Sequence, residues 1–225
     1  MTNQEYDNIL MKAEEYEDQL DVLNVGDRKS PDIPVSRSES PPSSRIAIIV
    51  GHSQRSPGAR GVEPVSTYEY FWNSELAGMI SSVASAAGVQ CGLFYRDGIG
   101  ISGAYQQVVE WAPDTCIELH FNAYNNQVTG TETLYGLYPP SRDWAQHVQA
   151  HIAGVFERAE NGGDRGIKLR NLGERGGKSV NQLDTLPSCL IEPYFGDASP
   201  DARLARDKRE LLARAIVEAH ISMQA

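Results

Sequence analysis

The run RIAIIVGH, residues 45–52, decides how the chain is read. Ile46, Ala47, Ile48, Ile49 and Val50 form an unbroken apolar stretch rich in β-branched side chains, which is the pattern of a strand buried on both faces. Gly51 ends it. A glycine there lets the backbone turn sharply, so His52 is expected at the carboxyl rim of a sheet, where open α/β folds hold their ligands. Two later segments end in the same manner: Cys116 to Leu119 runs into His120, and Ser188 to Ile191 runs into Glu192.

From Arg45 onward strand-like and helix-like segments alternate, which predicts an α/β domain over residues 45–225. Its expected core is a single, mostly parallel, twisted sheet with helices on both faces. A polar loop, SQRSPGARGVEP, follows the first strand, and a helix is expected from about Thr67 to Ala87. Then come a strand over Val89 to Tyr95, a helix over Ile101 to Trp111 and a strand over Asp114 to Leu119. Thr131 to Tyr138, with its Thr, Glu, Thr, Leu and Tyr, reads as a more exposed strand at the sheet's edge. A helix is expected from Asp143 to about Arg158. The Gly-rich segment from Asn161 to Lys178 reads as a mobile surface loop, of a length that often carries function. Pro187 to Tyr194 gives the last strand. Ser199 as N-cap with Pro200 at the first helical position opens the final helix.

Residues 1–26 have Tyr6, Ile9, Leu10, Ala13, Tyr16, Leu20 and Leu23 at helical spacing, with acidic residues on the opposite face. They predict an acidic amphipathic helix, which either packs on the body or docks a protein partner. Residues 27–44, rich in Ser and Pro, read as an extended linker. A net charge of −10 over 225 residues argues against nucleic acid as a main partner, because phosphate binding needs a concentrated basic face. No apolar run approaches the roughly 18 residues of a membrane span, so no membrane insertion is expected. The amino terminus lacks the basic-then-apolar order of a secretory signal, which predicts synthesis in the cytoplasm without one. Cys91, Cys116 and Cys189 lie in separate strand-like segments with no CxxC pair, and read as core side chains.

A catalytic zinc site usually takes three His or carboxylate ligands and leaves a fourth position open. His52 and His120, at two strand ends, supply two nitrogens. Glu69, near the start of the next helix, is the candidate third ligand. Ser66-x-x-Glu69 also fits a capping box, and a ligand cannot reach back to cap. Glu118, two residues before His120 and on the same strand face, is the spare candidate. Glu192 interrupts an apolar run, and a buried carboxylate needs a partner. It either serves as general base toward a water whose pKa zinc lowers to about 7, or makes a structural ion pair with an arginine. His147 and His151 sit four apart, but no Glu follows the first, so they do not form a metalloprotease motif. LGERGGKS, residues 172–179, has glycines misplaced for a phosphate loop, and no nucleotide is expected there.

These residues resemble the zinc-dependent N-acetylmuramoyl-L-alanine amidases of the type-3 group, in IIVGHSQRSPGA, Glu69-x-x-x-Asn73, ELHFNA, GTETLY, RGIK and CLIEPYF, all in the family's order from Arg45 onward. The resemblance implies one zinc ion held by His52, Glu69 and His120, with Glu192 as the catalytic carboxylate. It implies hydrolysis of the amide joining N-acetylmuramic acid to L-alanine of the peptidoglycan stem peptide. Asn122, Arg165 and Lys168 are the expected substrate contacts, the two cations for stem-peptide carboxylates. Without a signal peptide, such a protein looks like a phage-type lysin or virion-associated wall hydrolase. Two rival readings are a zinc peptidase cutting within the stem peptide, and a catalytically silent wall-binding or virion protein on the same fold.

Overall fold

The protein is described here by a computed structural model covering residues 44–224. The acidic helix expected over residues 1–26, and all of the linker but Ser44, lie outside the described residues. Six strands form one sheet: β1 (Arg45–Val50), β2 (Gln90–Tyr95), β3 (Thr115–Leu119), β4 (Thr131–Tyr135), β5 (Asp164–Leu169) and β6 (Ser188–Glu192), in the order β2-β1-β3-β6-β4-β5. All neighbours are parallel except β6 and β4. The α/β class and mostly parallel sheet match the expectation from sequence.

β1 is buried on both sides. Ile46, Ile48 and Val50 enter the larger core and Ala47 and Ile49 the smaller. The larger core is closed by α1 (Glu69–Ala86), α3 (Pro139–Val155), α6 (Ser199–Asp207) and α7 (Arg209–Met223), through Trp72, Leu76, Ile80, Trp144, Val148, Ala202, Leu212 and Ile216. α2 (Gly100–Trp111) covers the opposite face with Ile101, Ala104, Tyr105 and Val108. Cys116 and Cys189 are buried core residues, and Cys91 is half-buried; all three are free thiols. No helix among the described residues is long and apolar enough to cross a membrane.

Three expectations are corrected. The segment over Thr131 to Tyr138 is not an exposed edge: β4 ends at Tyr135, lies between β6 and β5, and Thr131 to Leu134 are buried. Its polar side chains have partners, since Thr131 donates to the Pro193 carbonyl at 2.6 Å and Thr133 to Gln149 at 2.7 Å. The Asn161 to Lys178 segment is not one loop, because it runs from the end of a short helix, α4 (Arg158–Asn161), through β5, which is the edge strand beside β4, into another, α5 (Gly177–Val180). Ser199 does not cap the last helices: the cap position is Ala198, without a side-chain bond, and the predicted single helix is two, α6 and α7.

The parallel strands β1, β3 and β6 bring their carboxyl ends to one rim. β4 runs the other way, so its first residues reach that same rim, and Glu132 stands directly across from Glu192.

Candidate active site

His52 follows β1 with φ of +65°, a conformation unusual outside glycine and one that clusters at functional sites. The sharp turn expected at Gly51 therefore falls one residue later. Gly51 is needed for a different reason: a Cβ there would stand 2.2 Å from Nε2 of His120. His120 leaves β3 at the same level, its backbone N–H donating to the Ile191 carbonyl of β6 at 3.1 Å.

Glu69 is the first residue of α1 and is buried. Its Oε1 accepts from Nδ1 of His120 at 2.8 Å and from the Phe121 amide at 3.0 Å, and its Oε2 lies 3.3 Å from Nε2 of His52. No capping box forms, because Tyr68 occupies the cap position and the Glu69 carboxylate is turned to the two histidines. The imidazole rings meet edge to face with centroids 4.9 Å apart. One donor atom from each of His52, Glu69 and His120 lies within 4.8 Å of the others, and among the described residues this is the group of three that could hold a metal ion. Donors at 2.0–2.2 Å from a tetrahedral ion lie about 3.3–3.6 Å apart. Glu69 meets the two imidazoles through different oxygens, at 2.8 and 3.3 Å, and with all three donors within 4.8 Å the set of two imidazoles and one carboxylate suits such an ion.

The charges in the cluster are set by these close contacts. Burial works against the Glu69 carboxylate, yet the charge of His52 and the bonds to both histidines keep its pKa well below the usual carboxylate range. Burial likewise opposes charge on His120, but hydrogen bonds to Glu118 and Glu69 hold its pKa up at about 10. Glu69 and Glu118 thus keep the His120 ring between them protonated, and binding of a metal ion there would displace the proton on the Glu69 side.

Glu192 ends β6, 2% exposed, and burial pushes its pKa up to about 7 against the opposing charge of Arg175. Its Oε1 accepts from Arg175 at 3.0 Å, while Oε2 is buried without a hydrogen-bond partner among the described residues. The arginine ion pair weighed from sequence is therefore present, yet it occupies only one of the two oxygens.

Arg175 lies within LGERGGKS, dismissed as a phosphate loop, and sequence reasoning missed it; the signal was the cation that a buried Glu192 requires. Its other nitrogen donates to Oδ1 of Asn122 at 3.1 Å. Glu132 was missed as well. It accepts from Asn122 at 2.9 Å and from Arg165 at 2.7 Å. Asn122, Glu132, Arg165, Lys168, Arg170 and Arg175 line, with Tyr124 and Phe195, an open cavity of about 290 Å³. His147 and His151 are remote from this rim: His147 contacts Ser222 at 2.9 Å and His151 the His147 carbonyl at 2.9 Å.

A family model described as N-acetylmuramoyl-L-alanine amidase matches residues 46–221. A search among curated protein sequences finds no match. Among solved structures, the N-acetylmuramoyl-L-alanine amidase from Clostridium difficile 630 is similar with a TM-score of 0.69 and 23% identity, over 81% of this chain and 97% of that one. The catalytic domain of the amidase CwlV from Bacillus (Paenibacillus) polymyxa var. colistinus gives 0.66 and 21%, over 80% and 97%. The catalytic domain of the CD27L endolysin, which targets Clostridia difficile, gives 0.60 and 25%, over 80% and 97%.

Proposed function

The chain belongs to the N-acetylmuramoyl-L-alanine amidase family, a group of peptidoglycan hydrolases, and from that premise we propose a zinc-dependent reaction at the rim formed by β1, β3 and β6. The observation that carries this reading is the meeting of His52, Glu69 and His120 beside a buried carboxylate with one oxygen unpartnered. The two imidazoles and Glu69 would hold the ion. When bound, zinc supplies a Lewis acid that polarises the scissile carbonyl and makes water more acidic.

The chain's own residues do the rest. Glu192 accepts the proton of the attacking water at Oε2 and returns it to the L-alanine nitrogen as the amide breaks. Arg175 holds Oε1, so the carboxylate cannot turn away. Arg165 and Lys168, on β5, bind carboxylates of the stem peptide, and Asn122 fixes the cavity wall through Glu132 and Arg175. The likeness to an endolysin catalytic domain supports action on the wall after phage-mediated lysis or from the virion, and the acidic amphipathic sequence of residues 1–26 would serve to dock a protein partner.

The test is digestion of purified muropeptides. The protein should release free L-alanine amino groups and no new reducing ends, and chelation should abolish the release. Glu192→Gln should keep a full equivalent of zinc while losing at least about 10²-fold in rate, the usual worth of a positioned general base. Cleavage inside the stem peptide, or full activity in E192Q, would overturn the assignment.

A further inference from the structure

We propose that Glu118 is a positioning residue for the metal centre, holding the His120 ring from behind through Nε2 so that Nδ1 is the nitrogen presented to the ion. The inference rests on the zinc reading above. From sequence Glu118 is the spare ligand, yet the structure keeps it out of the metal-capable group and behind the ring.

Four observations carry it. Glu118 and His120 are two residues apart at the end of β3 and so share a face. The Glu118 carboxylate, fully buried, accepts from Nε2 of His120 at 3.0 Å on the same oxygen that meets Arg96 at 3.2 Å. Its second oxygen accepts from the Tyr105 hydroxyl at 2.6 Å. The opposite nitrogen of the ring, Nδ1, faces Glu69 at 2.8 Å, and the bare Gly51 backbone closes on Nε2 with no room for a methyl group.

Arg96, just past β2, and Tyr105 of α2 hold the Glu118 carboxylate, and that carboxylate holds Nε2, so the ring is fixed in plane with Nδ1 toward Glu69. A carboxylate on the far nitrogen of a ligating imidazole orients the ring and raises its strength as a ligand, and loss of such a partner typically weakens metal binding about 10–100-fold. Were Glu118 only the counter-ion of a buried Arg96, nothing would require its shared oxygen to reach the imidazole.

The experiment measures zinc affinity of the full chain by competition with a chelator of known affinity, together with the visible spectrum of the cobalt-substituted protein. Glu118→Gln should weaken zinc binding by about 10-fold or more and alter the cobalt spectrum. Tyr105→Phe, a milder change that removes one of the carboxylate's donors, should move affinity in the same direction by a smaller factor. The double variant Arg96→Met with Glu118→Gln removes the ion pair as a unit, and zinc binding should stay weak.

Parental affinity and spectrum in E118Q, or their recovery in the double variant, would show that Glu118 serves Arg96 alone and would overturn the inference. Should E118Q fail to fold, Y105F decides, with unchanged affinity counting against the proposal. A parent protein that takes up no zinc sinks the reading of the site itself, which is a separate outcome from a parent that binds tightly and a variant that binds equally well.

Discussion

A methyl group added at Gly51 would stand 2.2 Å from Nε2 and 2.4 Å from Cε1 of His120, so the ring would have to leave its place. Gly51→Ala is accordingly expected to cost about 1–3 kcal/mol of stability through overpacking and to abolish stoichiometric metal uptake, both readable by thermal unfolding with and without zinc. At Glu192 the same scale governs pH dependence. Burial pushes its pKa up to about 7 in the metal-free site, and the enzyme needs the ionised form, so the rate should fall on the acid side of the pH profile. Arg175 favours the ionised form. Arg175→Met should therefore move the acid limb of the pH–rate profile upward by roughly one pH unit, and a limb that stays fixed or moves down would contradict the pairing. His52, His120 and Glu192 were legible in the sequence because each follows an apolar run at a strand end. Arg175 was not, because a cation in a glycine-rich segment carries no periodicity, and only the finished fold brings it to Glu192.

β4 and β5 show where element-level reading fails. TETLY opens with three polar side chains in a row, and such a strand is normally expected to face water. Here those positions are buried and satisfied, Thr133 by Gln149 of α3 and Glu132 by Arg165 and Asn122, so the polar run records internal hydrogen bonds. DRGIKL hides β5 for the opposite reason: an edge strand pairs on one side only and tolerates charge and glycine on the other. Both misreadings concern strands that line the cavity, β4 through Glu132 and β5 through Arg165 and Lys168. Asp201 of α6 joins these elements to the rim. It pairs with Arg158 at 2.7 Å, and its other oxygen accepts from the Gly130 and Phe195 amides, each at 2.9 Å. Asp201→Ala would leave Arg158 buried and unpaired, which typically costs about 3–5 kcal/mol, and would free the approach to β4 on one side and the turn after β6 on the other. The expected result is a lowered urea midpoint together with a raised KM for muropeptide.

Across the whole molecule, charge is distributed against the site. Residues 1–43 hold 10 of the 30 acidic side chains and 4 of the 20 basic ones, so this segment accounts for −6 of the net −10 and the remainder for −4. The cavity beside Glu192, by contrast, is lined by Arg165, Lys168, Arg170 and Arg175. A stem peptide bearing carboxylates approaches a cationic cleft on an acidic protein, and long-range repulsion works against local attraction. Protein lacking residues 1–43 keeps every strand of the sheet and every residue of the proposed centre, so its kcat should equal that of the full chain. Its KM for an anionic muropeptide should be lower than the parent's at about 10 mM salt, where the screening length is about 30 Å, and the difference should vanish near 1 M, where it is about 3 Å. A kcat that falls on truncation would mean that the first 43 residues take part in the chemistry. A KM gap that survives high salt would mean that they contact the substrate directly, and the electrostatic account would then be wrong.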